Sequence, residues 1–153
     1  MHKILLVQGA NMSRLGKRNP EAYGHMTAAE LDAMLIAHAK PLGMALETFY
    51  THVEGEAIGR IYDAVDNGGA GLLMNPAGFS HAGYALRDCL RELPFPYIEI
   101  HARNAVGRGH RSVTCECAHG YIAGFGPDTY VLALDAMKRL LDAPKKTATR
   151  SQS

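Results

Sequence analysis

The chain has few of the features that mark secreted, nucleic-acid-binding or membrane proteins. Its three cysteines, Cys89, Cys115 and Cys117, are sparse and odd in number, which fits reduced thiols better than a disulfide framework. The formal net charge of +1 is too small for a protein that wraps a phosphate backbone. No apolar run approaches the ~20 residues that span a bilayer, and residues 1–7 do not resemble a signal peptide. We therefore expect a cytoplasmic protein that binds neither nucleic acid nor membrane.

What the chain does have is enough apolar sequence for one domain with a substantial core: 153 residues, 47% of them hydrophobic. Five apolar runs predict strands and lie near residues 3–8, 44–50, 70–74, 97–101 and 121–123. Strands that alternate with helices indicate a parallel sheet covered on both faces, an α/β sandwich. We predict a single domain over residues 1–142 and a disordered polar tail over residues 143–153.

Local patterns place helices between those strands. Thr27-Ala-Ala-Glu30 is a capping box, and it predicts a helix with Leu31, Leu35, His38 and Leu42 on one face. The other predicted helices cover residues 54–67, residues 81–93 and a last segment that aligns Tyr130, Leu134, Met137 and Leu141.

Polar side chains lie where these predicted strands end. Asn11 follows the first strand, Asn75 and His81 follow the third, and His101 ends the fourth. Because open parallel sheets bind ligands outside the carboxyl ends of their strands, these residues predict a polar ligand site. Glu99 lies two residues before His101, so both side chains project to one face, where a carboxylate could fix the imidazole tautomer.

The loop over residues 9–26 is too long for a mere connection, and such loops in compact domains are usually functional or mobile. It contains Arg18 and Tyr23. A tyrosine with an ordinary pKa of about 10 is a poor base at neutral pH unless a cation stabilises its phenolate. Taken alone, Tyr23 is therefore best explained as a loop anchor, and a base supported by Arg18 is the alternative.

Two other motifs have simpler structural explanations. Cys115, Cys117 and His119 would share one face of a strand, but zinc sites usually separate paired cysteines by two to four residues. We predict a half-buried edge strand there and no metal. Gly124-Phe-Gly126 lacks the full glycine fingerprint of a dinucleotide site, so we predict a helix start.

Six segments, in order along residues 3–141, resemble the type II 3-dehydroquinate dehydratase family. They are Gln8-Gly-Ala-Asn11, Gly16-Lys-Arg18 through Tyr23-Gly24, Asn75-Pro76 with His81, Ala85-Leu-Arg-Asp88, Glu99-Ile-His101 and Gly124-Phe-Gly126. The resemblance implies a flavodoxin-like three-layer α/β sandwich with a five-stranded parallel sheet. It also implies a lyase that converts 3-dehydroquinate to 3-dehydroshikimate by anti elimination through an enolate, without cofactor or metal.

The same resemblance implies catalytic roles. Tyr23 would remove the C2 proton of the substrate, and Arg18 would hold Tyr23 as tyrosinate. Asn11 would stabilise the enolate through an ordered water, because a proton removed next to a ketone leaves an oxyanion that needs donors. His101 would protonate the departing hydroxyl group, which suits the side chain whose charge changes nearest neutral pH. Glu99 would orient the His101 ring.

Binding roles follow from the resemblance as well. Asn75 and His81 would bind substrate oxygens, and Asp88 would reach the site of a neighbouring subunit in a homododecamer built from trimers. The local alternatives are a strand-ending turn at Asn75-Pro76, a helix entry at His81 and a solvated surface position at Asp88. The implied metabolic setting is the shikimate pathway or the breakdown of quinate.

The chain departs from the family where the substrate carboxylate would bind. A small hydroxyl residue is usual after the fourth strand, but Ala102 and Arg103 stand there. An arginine can bind a carboxylate bidentately, and it can equally fill the pocket. The segment over residues 108–112 is several residues shorter than usual, so Arg108 and Arg111 are both candidates for the arginine that binds the substrate.

Two further departures lie at strand ends. Gln8-Gly-Ala-Asn11 stands where Asn-Gly-Pro-Asn is usual, and Ala77-Gly-Phe-Ser-His81 stands where Gly-Ala-Tyr-Thr-His is usual. These changes leave the expected acid and base untouched while they alter recognition of the substrate.

Three functions are therefore compatible with the sequence. We predict a cofactor-independent dehydratase that acts on 3-dehydroquinate. The first alternative is a paralogous enzyme of the same family with another polar, carboxylate-bearing or ring substrate, and Arg103 and the short segment over residues 108–112 favour it. The second alternative is a noncatalytic binding or assembly protein, and the presence of Arg18, Tyr23 and His101 argues against it.

Overall fold

One parallel sheet organises the chain. The structure is a computed structural model that describes residues 1–145, with only the backbone of Ala22 and Tyr23. Within these residues the strands are β1 (His2–Gln8), β2 (Met44–Tyr50), β3 (Gly71–Asn75), β4 (Tyr97–His101) and β5 (Gly120–Ala123). They run parallel in the order β2-β1-β3-β4-β5. This is the strand order of flavodoxin-like doubly wound folds, so the predicted fold class is confirmed.

Helices cover both faces of the sheet. Within the described residues they are α1 (Pro20–Tyr23), α2 (Ala28–Ala39), α3 (Glu54–Asp66), α4 (Phe79–Ala82), α5 (Tyr84–Arg91) and α6 (Asp128–Asp142). Residues 146–153, most of the predicted disordered tail, lie outside the described residues. In the described part of the chain, no helix combines the length and apolar character that crossing a membrane requires.

The continuous apolar run of β1 is explained by burial on both faces of the sheet. Ile4 and Leu6 belong to a cluster with residues of α2 and α6, whereas Leu5 and Val7 belong to a second cluster with residues of α3 and α5. Successive side chains of a strand point to opposite faces, so each face receives every second residue. A central strand between two helical layers therefore needs apolar residues at successive positions.

Helix α2 begins as predicted and ends earlier. Thr27 Oγ1 accepts a hydrogen bond from the Glu30 backbone N–H at 3.1 Å, which confirms the predicted N-cap. The helix gives way to a 3-10 turn, Lys40–Leu42. The prediction that Leu42 shares the helix is therefore wrong, because Pro41 lacks the N–H that a further α-helical turn needs. Leu42 still packs against the same core cluster as α2.

The predicted helix over residues 81–93 is wrong as a single element. The chain forms α4, turns at Gly83 and continues as α5. A Cβ atom at Gly83 would lie 2.3 Å from the Phe79 carbonyl oxygen, so the backbone follows a path that only glycine allows. His81 therefore belongs to a short helix of its own rather than to the start of a long one.

The predicted edge strand through Cys115 and Cys117 is also wrong. Thr114–Cys117 forms a 3-10 turn, and the Cys115 N–H donates to Ser112 Oγ at 3.2 Å. A hydroxyl side chain that satisfies the backbone locally competes with pairing in a sheet. The last strand, β5, starts only at Gly120.

Candidate active site

A crevice opens at the carboxyl ends of the strands, where the loops after β1 and β3 diverge. Gln8 and Asn75 are neighbours in the register of these strands, and the Gly9 N–H donates to the Asn75 carbonyl oxygen at 2.8 Å. A Cβ atom at Gly9 would lie 2.3 Å from the Pro76 carbonyl oxygen, so only glycine lets the two loops approach this closely. In the order β2-β1-β3 this is the topological switch point, where open α/β sheets bind ligands.

A cavity of about 830 Å³ at this switch point collects most of the predicted site residues. The predicted residues that line it are Asn11, Arg18, Asn75, His81, His101, Ala102, Arg103, Arg108 and Arg111. Among the described residues, the lining contains arginine and histidine side chains but no aspartate or glutamate. Such a surface attracts an anionic ligand.

His101 and Glu99 form a defined pair in this crevice. His101 Nε2 lies 2.9 Å from Glu99 Oε2, and Glu99 is fully buried behind the ring. The contact expected from their spacing in a strand is therefore present. Because the carboxylate holds one ring nitrogen, the other nitrogen is left for a ligand.

Glu99 is a buried carboxylate with several protein donors. Tyr97 Oη donates to Glu99 Oε1 at 2.8 Å, and Thr114 Oγ1 donates to the same oxygen. Burial raises the pKa of Glu99, but hydrogen bonds from His101, Ser112, Thr114 and Tyr97 outweigh burial and leave the pKa below its ordinary value of 4.5. Glu99 is therefore an anion that holds the imidazole from the interior.

Asn75 ends β3, and its amide is bonded on both sides. Its Oδ1 accepts from the Ala77 N–H at 3.1 Å, and its Nδ2 donates to Tyr130 Oη at 2.8 Å. Tyr130 Oη donates to Gln8 Oε1 at 2.9 Å. Ala77 has a φ of 49°, in the left-handed region that favours glycine, so the Asn75 contact supports a strained turn.

Sequence reasoning missed His110, which lies in the crevice beside the two predicted histidines. Its ring centroid is 4.1 Å from that of His81 and 5.9 Å from that of His101. Its Nε2 lies 2.7 Å from Ser80 Oγ, which donates to the Ala77 carbonyl oxygen. Burial, and then the neighbouring His81 and His101, lower the pKa of His110. The sequence hint was its place in a loop rich in glycine, arginine and histidine after β4.

The loop after β1 carries the remaining catalytic candidates. Asn11 has a φ of 69°, and its backbone N–H donates to Nδ1 of His52, a second residue that sequence reasoning missed, at 2.9 Å. Arg18 lines the crevice, and Tyr23 ends α1. The side chain of Tyr23 lies outside the described residues, so its role as the base stays a prediction.

Asp88 lies away from the crevice of its own chain. Its side chain is 69% exposed on α5, and its Oδ1 lies 3.6 Å from Arg91 Nη1. The expected contact of Asp88 with a neighbouring subunit stays a prediction.

Two other places in the described part of the chain were candidates for a ligand or metal site. A groove at the opposite end of the sheet contains Lys3, Glu47 and Arg60. Arg60 Nη2 lies 2.7 Å from Glu47 Oε1, and Lys3 Nζ donates to the Asn67 carbonyl oxygen, so these charges already have protein partners. In the part of the chain that the structure describes, no cluster of three His, Cys, Asp or Glu side chains has the geometry of a metal site.

Comparison with known proteins agrees with this geometry. The family model for class II dehydroquinase matches residues 2–138. A 3-dehydroquinate dehydratase from Xanthomonas oryzae pv. oryzae (strain PXO99A) is 41% identical over 140 residues, which cover 90% of this chain and 95% of that protein. The crystal structure of type II dehydroquinase from Propionibacterium acnes is similar with a TM-score of 0.85 and 37% identity, over 91% of this chain and 97% of that chain. The type II dehydroquinase from Butyrivibrio crossotus DSM 2876 is similar with a TM-score of 0.85 and 32% identity, over 89% and 97% of the two chains.

Fold and crevice together define a doubly wound α/β protein with a cationic small-molecule site at its switch point. The site also contains a histidine whose ring is hydrogen-bonded to a buried carboxylate, an arrangement typical of enzymes that use acid–base catalysis. The chain belongs to the class II dehydroquinase family. The resemblance read from six sequence segments is thereby confirmed.

Proposed function

We propose that this chain is a hydro-lyase that eliminates water from 3-dehydroquinate with its own side chains and without a cofactor. The observation that carries the proposal is the His101 imidazole, held by the buried Glu99 carboxylate inside a crevice lined by arginines. A hydroxide ion leaves poorly without a proton donor, and an anionic substrate needs cationic contacts. The relatives named 3-dehydroquinate dehydratase support this substrate.

In the first step, Tyr23 takes the C2 proton of the substrate and leaves an enolate. Arg18, which lines the crevice, supplies a cation that favours the phenolate form of the base. The enolate oxygen carries new negative charge, and Asn11 stabilises this charge through a water molecule. Asn11 is held for this task by the hydrogen bond from its backbone N–H to His52.

In the second step, the hydroxyl group departs as water. His101 gives a proton to the leaving oxygen while Glu99 holds the ring from the interior. The enolate electrons form the new carbon–carbon double bond as the carbon–oxygen bond breaks. One proton is taken by Tyr23 and one is given by His101, so the products are water and the conjugated enone 3-dehydroshikimate.

Substrate binding is assigned to the remaining predicted residues of the crevice. Asn75 and His81 bind substrate oxygens. The carboxylate contacts come from the strand end and the following loop, through the Ala102 backbone, Arg103 and either Arg108 or Arg111, all of which line the crevice.

The direct test follows the absorbance of the conjugated enone while the purified chain is incubated with 3-dehydroquinate. We expect turnover by the wild-type chain and only background conversion by His101→Ala, which keeps the crevice but lacks the proposed acid. A folded wild-type chain that forms no enone at any substrate concentration would refute the proposal.

One observation favours a second candidate, a paralogous enzyme with a different polar, carboxylate-bearing or ring substrate. Arg103, Arg108 and Arg111 all line the crevice, in addition to Arg18, which the first candidate assigns to the phenolate of Tyr23. The carboxylate of 3-dehydroquinate is assigned to Arg103 and to only one of the other two arginines. A third guanidinium group suits a ligand with more acceptor oxygens or a second negative charge.

Arg103→Ser separates these two candidates. If Arg103 binds the carboxylate of 3-dehydroquinate, loss of this charge-assisted contact lowers kcat/KM by about ten- to a hundredfold, which is the result we expect. A gain in kcat/KM would mean that Arg103 obstructs the pocket and would favour the second candidate. Arg60→Ser is the matched control, because Arg60 pairs with Glu47 at the opposite end of the sheet.

We further propose that one catalytic domain over residues 1–142 assembles into a cytoplasmic dodecamer built from trimers. The exposure of Asp88, away from its own crevice, supports a role in the site of a neighbouring subunit. The three unpaired cysteines support a reducing compartment. The activity belongs to the shikimate pathway, and a role in quinate breakdown is the alternative setting.

Light scattering after size-exclusion chromatography tests the proposed assembly. It should give the mass of twelve chains, and the mass of a single chain would contradict the dodecamer.

A further inference from the structure

A buried chain of hydrogen bonds fixes the Asn75 amide, and its direction follows from the backbone. The Ala77 N–H can only donate, so the Asn75 atom that faces it at 3.1 Å must be the carbonyl oxygen Oδ1. The other side of the amide is then the Nδ2 amino group, which donates to Tyr130 Oη at 2.8 Å. Because the Tyr130 oxygen accepts this bond, its own hydrogen goes to Gln8 Oε1 at 2.9 Å.

The members of this chain are removed from solvent, so water does not compete for their bonds. Gln8 is fully buried, Tyr130 is 2% exposed and Asn75 is 5% exposed. The three residues come from three elements, since Gln8 ends β1, Asn75 ends β3 and Tyr130 lies on α6. The bond between Tyr130 and the Gln8 side chain links the last helix to the end of the first strand.

We propose that Tyr130 is a positioning residue that makes Asn75 present an N–H donor, and not its carbonyl oxygen, to the crevice. The second Nδ2 hydrogen is the part of the amide left for a ligand. In the structure, Nδ2 lies 3.7 Å from Met12 Sδ, a weak acceptor in the crevice lining that a ligand oxygen would replace.

The inference rests on the proposed function, because it takes Asn75 to be a substrate-binding residue, and it adds the chemistry of that contact. The substrate atom that Asn75 holds must be an acceptor, such as a carboxylate, carbonyl or hydroxyl oxygen. A ligand that offers only a donor hydrogen at this position would leave two donors facing each other.

The test begins with Tyr130→Phe, which removes the hydroxyl group and keeps the ring. Nδ2 of Asn75 then loses its fixed acceptor, and we expect kcat/KM for 3-dehydroquinate to fall about five- to thirtyfold. Tyr62→Phe is the matched control. Tyr62 lies on α3, is 44% exposed and is not part of the crevice lining, so we expect kcat/KM to change less than about twofold.

A double-mutant cycle with Asn75→Ala separates positioning from a purely structural effect. If Tyr130 acts through Asn75, adding Tyr130→Phe to Asn75→Ala changes kcat/KM less than about twofold. Equal losses in the two backgrounds, or wild-type kcat/KM for Tyr130→Phe alone, would overturn the inference while leaving the proposed function intact. Wild-type kcat/KM for Asn75→Ala would instead overturn the assigned role of Asn75, and the inference with it.

Gln8→Leu provides a second route if Tyr130→Phe does not fold. It keeps the side-chain volume and removes the acceptor of the Tyr130 hydrogen. It also removes Nε2 of Gln8, an atom without a hydrogen-bond partner among the described residues. We expect a loss of kcat/KM in the same direction, again absent in the Asn75→Ala background. A loss that persists in that background would contradict the inference.

Discussion

The two sides of the crevice are built differently, one on a strand and the other on a loop. We call them the strand half (His101 and Glu99) and the loop half (Asn11, Arg18 and Tyr23). The strand half is buried on β4, and its carboxylate is bonded on both oxygens. Asn11 and Arg18 of the loop half are exposed. The acid is therefore fixed by the fold before substrate binds. The base depends on a segment that is less buried, and less buried segments open locally more easily.

The largest expected effect falls on the loop half. Tyr23→Phe deletes the hydroxyl group of the proposed base, so we expect kcat for 3-dehydroquinate to fall at least about a hundredfold. The thermal unfolding midpoint should stay at its wild-type value, because the change removes only one hydroxyl group and keeps the aromatic ring. Tyr62→Phe, at a position that is 44% exposed on α3, is the control and should keep wild-type kcat. Wild-type kcat for Tyr23→Phe would remove Tyr23 from the mechanism.

The next effect falls on the strand half and concerns stability. Thr114→Val removes a hydroxyl group that donates to the buried Glu99 carboxylate. We expect the free energy of unfolding at neutral pH to fall by about 1.5–3 kcal/mol, as for hydrogen bonds to charged groups. Urea denaturation of the variant and of the wild-type chain measures the difference.

This difference should depend on pH in a definite direction. The pKa of Glu99 is lower in the folded chain than its ordinary value of 4.5, so its ionised form adds stability above that value. This stability is lost as the pH falls through the lowered pKa. The decrease in the free energy of unfolding caused by Thr114→Val should therefore become smaller at low pH. Thr129→Val is the control, because the Thr129 hydroxyl accepts from the Phe125 N–H rather than contacting a carboxylate. A penalty for Thr114→Val that is constant with pH would contradict the role given to Glu99.

The smallest expected effect comes from removing a hydrogen bond that holds the loop half in place. His52→Ala removes the acceptor of the Asn11 backbone N–H. We expect kcat/KM to fall about two- to tenfold, the value of one exposed hydrogen bond. His38→Ala removes a histidine that pairs with Asp135 outside the crevice lining, and it should leave kcat/KM unchanged. An effect of His52→Ala no larger than that of His38→Ala would mean that Asn11 does not depend on this anchor.

The strand half could be predicted from the sequence because it follows the two-residue period of a strand. Glu99 and His101 share a face of β4, and their contact required no knowledge of other elements. The parallel orientation of the strands also followed from the alternation of apolar runs and helices. Two helix predictions were wrong, one at Leu42 because of a neighbouring proline and one at Gly83 because of a close backbone contact. Whether such a residue ends a helix depends on three-dimensional packing, which the sequence does not show.

The residues in and around the crevice that sequence reasoning missed make contacts with segments far away in the chain. Asn11 and His52 are 41 residues apart, and Gln8 and Tyr130 are 122 residues apart. The position of Tyr130 on the apolar face of the last helix predicted only that it is buried. Spacing within one element carries no information about which hydroxyl or imidazole from another element completes a hydrogen bond.

The most direct test of the division between the two halves measures exchange of the C2 hydrogen of 3-dehydroquinate in deuterated solvent by His101→Ala. The loop half is intact in this variant, so proton removal and its reversal should continue while the hydroxyl group lacks its acid. The account predicts that deuterium enters C2 faster than the conjugated enone forms. Substrate that binds but shows neither exchange nor enone would contradict the account, because His101 would then be needed for the first step as well.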